Sequence, residues 1–308
     1  MLNFIVNPNS GGEKGFSTWK KVERQLKKQK IRYQVMITDC RGDATRISRQ
    51  ICEADNEPKT IVAVGGDGTL NEVINGLILA DHVTLGYIPT GSGNDLARGM
   101  GYPSDPVRAL DRILKCEKIT EIDYGVISYG DKDIINRRFA VSCGAGYDAA
   151  VCDVLHESAW RRRLAPFHLQ KVAYTVLGAK TLLSTRPVKG SIILDNERKI
   201  EFNDILFVAV HNQPTEGGGY RFAPQAVNND GRLSVCVVHT RSKLQFAKIL
   251  LAAKPGNHLK YQGVRTYDCK HIRVELEEPM SMHSDGEILG HHRNFEAHCV
   301  ERKLRMII

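Results

Sequence analysis

Thr60-Ile61-Val62-Ala63-Val64-Gly65-Gly66-Asp67-Gly68-Thr69-Leu70-Asn71-Glu72 is the stretch that decides the fold. Its first five residues are apolar almost without interruption, as a strand buried on both faces requires. Three glycines then break the strand, and Leu70 to Leu79 reads as a helix. The same grammar holds on either side. Downstream, Val83 to Ile88 is a strand that ends in Pro89-Thr90-Gly91-Ser92-Gly93-Asn94-Asp95. Upstream, Asn3 to Val6 is a strand that ends in Asn7-Pro8-Asn9-Ser10-Gly11-Gly12. A helix follows from about Phe16 to Lys30, with Trp19, Val22 and Leu26 on one face and lysines on the other. Tyr33 to Thr38 is a further strand and Ala44 to Glu53 a further helix. Strand, loop and helix repeated in this way predict an α/β domain with a parallel sheet and helices on both faces. Its ligand site belongs at the carboxyl ends of the strands.

After Asp123 the texture changes. Strand-like runs cover Arg138 to Ser142, Gly190 to Leu194, Ile205 to His211, Leu233 to His239 and His271 to Leu276. Helical stretches are expected at Ala149 to Leu183, broken near Pro166, and at Lys243 to Ala253. Consecutive strands joined by short turns argue a mainly antiparallel, sandwich-like second domain. The division expected is residues 1–124 for the α/β domain and 125–294 for the β-rich one, with the β-like tail 295–308 able to rejoin the first.

Composition narrows the function classes. The chain has 308 residues, 42% hydrophobic and 25% charged, which excludes a disordered chain. Its longest apolar run, Ile205 to Val210, falls far short of the ~20 residues needed to cross a bilayer. The opening Met1 to Asn7 has neither the basic nor the apolar region of a signal peptide, so a cytoplasmic protein is expected. The eight cysteines lie far apart without a C-x-x-C and read as reduced core thiols. The eleven histidines, among them His283, His291 and His292, show no H-x-x-x-H or H-E-x-x-H spacing, so no histidine metal site is expected. A net charge of +8 suits anionic partners without choosing among them. The motifs of a nucleic-acid module are missing. Trp160 to Phe167 mixes arginines with large apolar side chains, which fits either docking on an anionic leaflet or an exposed helix end around a buried Trp160.

Three glycine-rich turns at one edge of one sheet point to a phosphate ligand. Glycines let the backbone approach it closely, and free N–H groups at a helix start point toward it. A carboxylate in such a loop repels phosphate unless a cation lies between them, so Asp67 implies Mg²⁺. The alternative is a tight turn with Asp67 as a helix cap. There is no G-x-x-x-x-G-K-[ST] P-loop and no G-x-G-x-x-G after the first strand.

Asn7 to Gly12, Gly65 to Glu72 and Pro89 to Arg98, in that order, resemble the catalytic domain of diacylglycerol kinases in the bacterial soluble lipid kinase branch. Asn212 to Ala226, Asp230-Gly231-Arg232-Leu233 and Asp285-Gly286-Glu287 extend the resemblance over essentially the whole chain. It implies a two-domain fold with ATP in the cleft between the domains and transfer of the γ-phosphoryl group to a lipid hydroxyl. Diacylglycerol would yield phosphatidic acid and ADP. Carried over by position, Asn7, Pro8, Asn9, Ser10, Gly11, Thr38, Gly66, Asp67, Gly68, Thr69, Leu70, Asn71, Glu72 and Ser92 contact the nucleotide. Asp67, Asp95 and Asp123 hold the catalytic Mg²⁺, Glu287 is the general base, and Asp67 and Asp285 stand with it as catalytic residues. A structural Mg²⁺ sits at Asp230 with backbone carbonyls near Val227 and Arg232. Asn229 stands where relatives often carry a second acid there. The resemblance leaves open another acceptor (a sphingoid base, another glycerolipid, a polyol or NAD), a non-catalytic nucleotide-binding membrane regulator, peripheral attachment to the inner membrane face, and a homodimer.

Overall fold

The computed structural model describes residues 1–157, 170–300 and 303–308. The Trp160 to Phe167 stretch lies outside the described residues. Packing divides the chain into two units, Met1–Tyr124 with Val300–Ile308, and Gly125–Cys299.

The first unit is built on β1 (Leu2–Val6), β2 (Tyr33–Ile37), β3 (Lys59–Gly65), β4 (Val83–Pro89), β5 (Ile119–Ile122) and β15 (Leu304–Ile307). The sheet order is β2-β1-β3-β4-β15-β5, all parallel except β5, which runs against β15. Five helices join the strands: α1 (Ser10–Lys28), α2 (Asp43–Glu53), α3 (Asp67–Gly76), α4 (Asp95–Gly99) and α5 (Pro106–Lys115). Trp19, Val22 and Leu26 of α1 and Ala109, Leu110 and Ile113 of α5 cover one face of the sheet, packing on Phe4, Val6, Val62, Val64 and Ile88. That α5 exists follows from Asp105, whose side chain accepts from the amides of Val107 and Arg108, with Pro106 at the first helical position. α2 and α3 pack on each other, Ser48 Oγ donating to the Val73 carbonyl at 3.0 Å.

The second unit holds β6 (Gly125–Tyr129), β7 (Ile135–Phe139), β8 (Ser142–Gly146), β9 (Val188–Leu194), β10 (Arg198–His211), β11 (Leu233–His239), β12 (Val264–Cys269), β13 (His271–Ser284) and β14 (Glu287–Cys299). Every pairing is antiparallel. The path runs β12-β11-β10-β8-β13-β14-β6-β7, and β9 bridges β10 and β13. The two long strands β10 and β13 pair β9 along one half and β8 along the other, which folds the sheet over a shared core of Ile192, Val208, Val235, Ile272 and Met282. The opposite face of β10 and β11 packs Phe207, Cys236 and Val238 against Phe246 and Ile249 of α8 (Lys243–Ala253). Helices α6 (Tyr147–Glu157) and α7 (Gln170–Ser184) complete the unit.

Several boundaries differ from those expected. The expected strand Arg138 to Ser142 is two strands, β7 and β8, with Ala140 and Val141 between them. Phe295 to Cys299 stays in β14, paired with β6, so the chain returns to the first unit at Val300. The helix over 149–183 is described only as α6 and α7. The eight cysteines stand outside any disulfide: Cys52, Cys143, Cys236 and Cys269 are buried but Cys40 and Cys116 are exposed.

Candidate functional site

The three glycine-rich turns meet at the carboxyl edge of the parallel sheet. Gly65 closes β3, and Gly66 stands as N-cap of α3 with extended backbone, so Asp67 and Gly68 form the helix's first turn. Thr90 N donates to the Gly65 carbonyl at 2.8 Å, and Asn7 N to the Val64 carbonyl at 2.9 Å. Asn7 Nδ2 donates to Thr69 Oγ1 at 2.9 Å, and Ser10 and Thr90 share a hydroxyl hydrogen bond. Gly66 and Gly91 face each other backbone to backbone: a Cβ on Gly91 would lie 2.7 Å from Gly66 Cα. Gly11 and Gly12 have φ of +63° and +71°, so the regular turns of α1 begin after them. The site is a loop cluster locked by main-chain contacts, with the N-terminal turn of α3, the positive end of the helix, beside it.

Acidic side chains are built into the same cluster. Asp67 Oδ1 accepts from Asp95 N at 2.8 Å, which ties the second turn to the third. Asn94, in the left-handed region at φ +50°, accepts from Gly91 N at 3.0 Å and donates to the Gly91 carbonyl at 2.8 Å, holding Asp95 in place. Asp95 is buried, and its Oδ1 lies 3.8 Å from Arg98 Nε. Burial, then the charges of Asp67 and Asp95, hold the Tyr87 hydroxyl well above its ordinary range. Asp123, just past β5, is buried 3.9 Å from Lys303 Nζ. Oxygen-only donors of this kind suit a hard, poorly dehydrating cation such as Mg²⁺.

The remaining expected nucleotide residues divide by exposure. Asn7, Pro8, Ser10, Gly11, Gly66, Asp67 and Gly68 are half-buried, and Asn9 and Ser92 are exposed, so all of these can meet a ligand. Thr38 is buried, its backbone N–H on the Val6 carbonyl. The side chains of Leu70 and Asn71 lie inside the unit, 2% and 0% exposed, where they hold α3 rather than face solvent. Glu72 accepts from Gly42 N at 2.9 Å and Ala44 N at 3.2 Å, so it caps α2.

In the second unit Asp285 and Gly286, with φ of +49° and +80°, form the two-residue turn joining β13 to β14, and Glu287 opposes Ser284 at its base. Asp285 Oδ1 accepts from Val141 N at 2.8 Å and Ser142 N at 3.0 Å, and Oδ2 from Ala140 N at 2.9 Å. Its carboxylate therefore satisfies the backbone break between β7 and β8, where a single strand was expected. Glu287 is half-buried at the end of the hairpin. Asp230 is exposed and accepts from Arg232 N at 3.0 Å, in a loop where Val227 is half exposed and Arg232 exposed.

Sequence spacing missed one more cluster. Asp148 at the start of α6, Glu216 in the loop after β10 and His283 in β13 bring one ligand-capable atom each to within 4.8 Å of one another. Burial lowers the His283 pKa, but the charge and hydrogen bond of Asp148 and the charges of Glu216 and Asp285 outweigh it and push it to about 9.

Two family models match this chain: the diacylglycerol kinase catalytic domain over residues 1–127 and the YegS C-terminal NAD kinase beta sandwich-like domain over residues 141–308. A diacylglycerol kinase of Bacillus subtilis (strain 168) is 28% identical over 288 residues, covering 93% of this chain and 89% of its own length. A diacylglycerol kinase of Staphylococcus haemolyticus (strain JCSC1435) is 28% identical over 287 residues, covering 93% and 82%. The crystal structure of a diacylglycerol kinase from Bacillus anthracis str. Sterne superposes with a TM-score of 0.71 at 22% identity, over 99% of this chain and 96% of that one, a likeness of fold. An NAD kinase from Archaeoglobus fulgidus in complex with ATP shares the fold at a TM-score of 0.51 and 13% identity, over 100% and 94%. An α/β unit with three interlocked glycine turns, joined to an antiparallel unit of this topology, is thus a kinase, and the chain belongs to the diacylglycerol kinase catalytic-domain family.

Proposed function

We propose that the chain is an ATP- and Mg²⁺-dependent lipid kinase that phosphorylates the hydroxyl of diacylglycerol, or of a closely related lipid, to give phosphatidic acid and ADP. The observation that carries this reading is the backbone contact of Gly66 with Gly91, tied by Asp67 to Asp95 N at 2.8 Å. Such a contact leaves room for a polyphosphate against main-chain N–H groups and keeps carboxylates beside it. Phosphoryl transfer needs positioning and charge neutralisation more than covalent help, and these are the parts present. Mg²⁺, when bound, would offset the charge of the triphosphate, and Asp67, Asp95 and Asp123 would hold it.

The chain's own residues then divide the work. The amides of Gly66 to Thr69 and the turn Asn7 to Gly11 cradle the phosphates, with Ser92 at their rim. Glu287 takes the acceptor's hydroxyl proton as the oxygen–phosphorus bond forms and the bond to ADP breaks. Asp285 holds the hairpin that carries Glu287. Asp230, with the Val227 and Arg232 carbonyls, remains a candidate for a weak second Mg²⁺. Its single exposed carboxylate, already accepting from Arg232 N, offers little charge. The lipid acceptor places the work at a membrane surface. No described helix is long and apolar enough to span one.

Purified protein incubated with radiolabelled ATP and short-chain diacylglycerol, with and without Mg²⁺, tests the reading. Mg²⁺-dependent labelled phosphatidic acid is expected. Labelling of a sphingoid base, another glycerolipid or NAD in preference would reassign the acceptor. Failure to label any of them would remove the kinase acceptor assignment altogether.

A further inference from the structure

We propose that Asp148, Glu216, His283 and His211 form a binding site for one divalent ion of the zinc class inside the second unit, separate from the Mg²⁺ chemistry above. All four side chains are more than nine-tenths buried, and they come from four elements: α6, the loop after β10, β13 and the end of β10. Asp148 Oδ2 lies 3.1 Å from His283 Nε2. Glu216 Oε2 accepts from Ser142 Oγ at 2.5 Å.

His211 is the independent sign that a ligand belongs here. Its ring is completely buried, neither ring nitrogen has a side-chain hydrogen-bond partner, and Nε2 lies 3.8 Å from Glu216 Oε2. A buried imidazole so sparsely partnered is costly unless something occupies the space before it. Tetrahedral ligands at about 2.0–2.1 Å from a zinc ion lie about 3.3 Å apart, so the Asp148, Glu216 and His283 atoms, within 4.8 Å of one another, close in by rotation, and the His211 ring, outside that set, moves toward them to complete it.

Charge and donor type support the same occupant. Two buried carboxylates, Asp148 and Glu216, stand within 4.8 Å of one another beside His283, and a divalent ion among them balances both charges. Two nitrogens and two oxygens favour a late first-row ion or zinc over Mg²⁺, which prefers oxygen alone. The ion on His283 Nε2 moves the ring proton to Nδ1 and gives up the long 3.4 Å contact from Gly286 N, whose turn is half-buried and can turn to water. Four protein ligands make a closed, structural site that ties α6 and the loop after β10 to β13.

The test strips the full-length protein with chelator, equilibrates it separately with Zn²⁺, Co²⁺ and Mg²⁺, removes free ion by gel filtration and measures bound metal by mass spectrometry. One Zn²⁺ or Co²⁺ per chain is expected, with the visible absorption of tetrahedral Co²⁺ and a raised melting temperature. Glu216→Gln and His283→Asn should weaken binding by more than about 100-fold, beyond what outer partners contribute. His211→Gln, which keeps the ring site polar and neutral, should weaken it at least tenfold and abolish the tetrahedral Co²⁺ spectrum. The exposed-side pair His291→Gln/His292→Gln should bind as the parent does. Substoichiometric or Mg²⁺-selective binding in the parent, or equal binding by the His211 and Glu216 variants, would overturn the site. None of these readouts depends on ATP or a lipid acceptor.

Discussion

The two units satisfy the same physical demand, a polar site inside a folded chain, by opposite means. The first does it with backbone: Gly66 against Gly91, the Thr90 and Asn7 amides on strand carbonyls, Asp67 on a main-chain N–H. The second does it with buried side chains: Asp285 under three amides, Asp148 on His283, Glu216 on Ser142. A site made of turns tolerates little added volume but carries few titratable groups. A site made of buried carboxylates and imidazoles tolerates shape changes better and is exposed to pH and to the loss of any one charge.

The sharpest way to separate them is at the chemistry. Glu287→Gln should lower turnover roughly 1,000-fold, the scale of a lost general base, while nucleotide affinity measured by calorimetry stays within about threefold. Asp67→Asn in the first unit should lower turnover comparably and also weaken the Mg²⁺ dependence of nucleotide binding. If both variants changed affinity equally, the division of labour between units would fail.

Stability should separate them next. Asp285→Ala leaves three buried amides without an acceptor, which costs about 3 kcal/mol or more and should appear as lower urea resistance of the second unit. Gly91→Ala drives a Cβ to 2.7 Å from Gly66 Cα and 2.9 Å from Asn94 Oδ1. Overpacking of this sort costs about 1–3 kcal/mol, confined to the first unit, and nucleotide binding should weaken with it. Asp285→Asn, keeping two acceptor pairs on one oxygen, should recover part of the first loss. No substitution that retains a Cβ at 91 should recover the second.

The same contrast explains what the sequence disclosed. The first unit's site is local: each turn is a strand end followed by glycines and a polar cap, and the three motifs are readable without knowing what they touch. α5 is equally local, announced by Asp105-Pro106, a capping acid before a helix-starting proline. The second unit's site is long-range. Asp285 acts 143 to 145 residues away, at a strand break that alternation in Arg138 to Ser142 conceals. His283 meets Asp148 across 135 residues, so a search for short histidine spacings could not find the pair. The tail was expected to rejoin the first unit from residue 295 and does so from Val300, because β14 is longer than its apolar pattern and carries polar residues to Cys299.

Acidification gives the gentlest test of the comparison. His211, at about 3, and His239, His258 and His298 in the second unit are all held below the ordinary 6.5 by burial. A depressed histidine pKa means the unfolded chain binds a proton that the folded chain refuses. The second unit is thus at full strength above pH 6.5 and weakens as pH falls below it, by ~1.4 kcal/mol per pH unit for fully buried His211. His283 works the other way in the metal-free protein: its stabilising proton is present below 6.5 and lost as pH rises through about 9. In the first unit the lowered acids are Asp43, held at about 2 by the amides of Asp39 and Cys40 and by Arg46, Glu23, lowered by Lys27 and Tyr33, and Asp55, lowered by Lys59, so their contributions are complete above about 4.5 and lost only as pH falls below the ordinary carboxylate range. Between pH 6.5 and 4.5 the second unit should therefore lose urea resistance while the first keeps it. Equilibration in urea at each pH, followed by a hydrogen-exchange pulse at one fixed pH and peptide-resolved mass spectrometry, reads the two separately. Parallel loss in both units would mean that backbone-built and side-chain-built sites share one pH response, and the contrast drawn from Asp285, His211 and the glycine turns would not extend to stability.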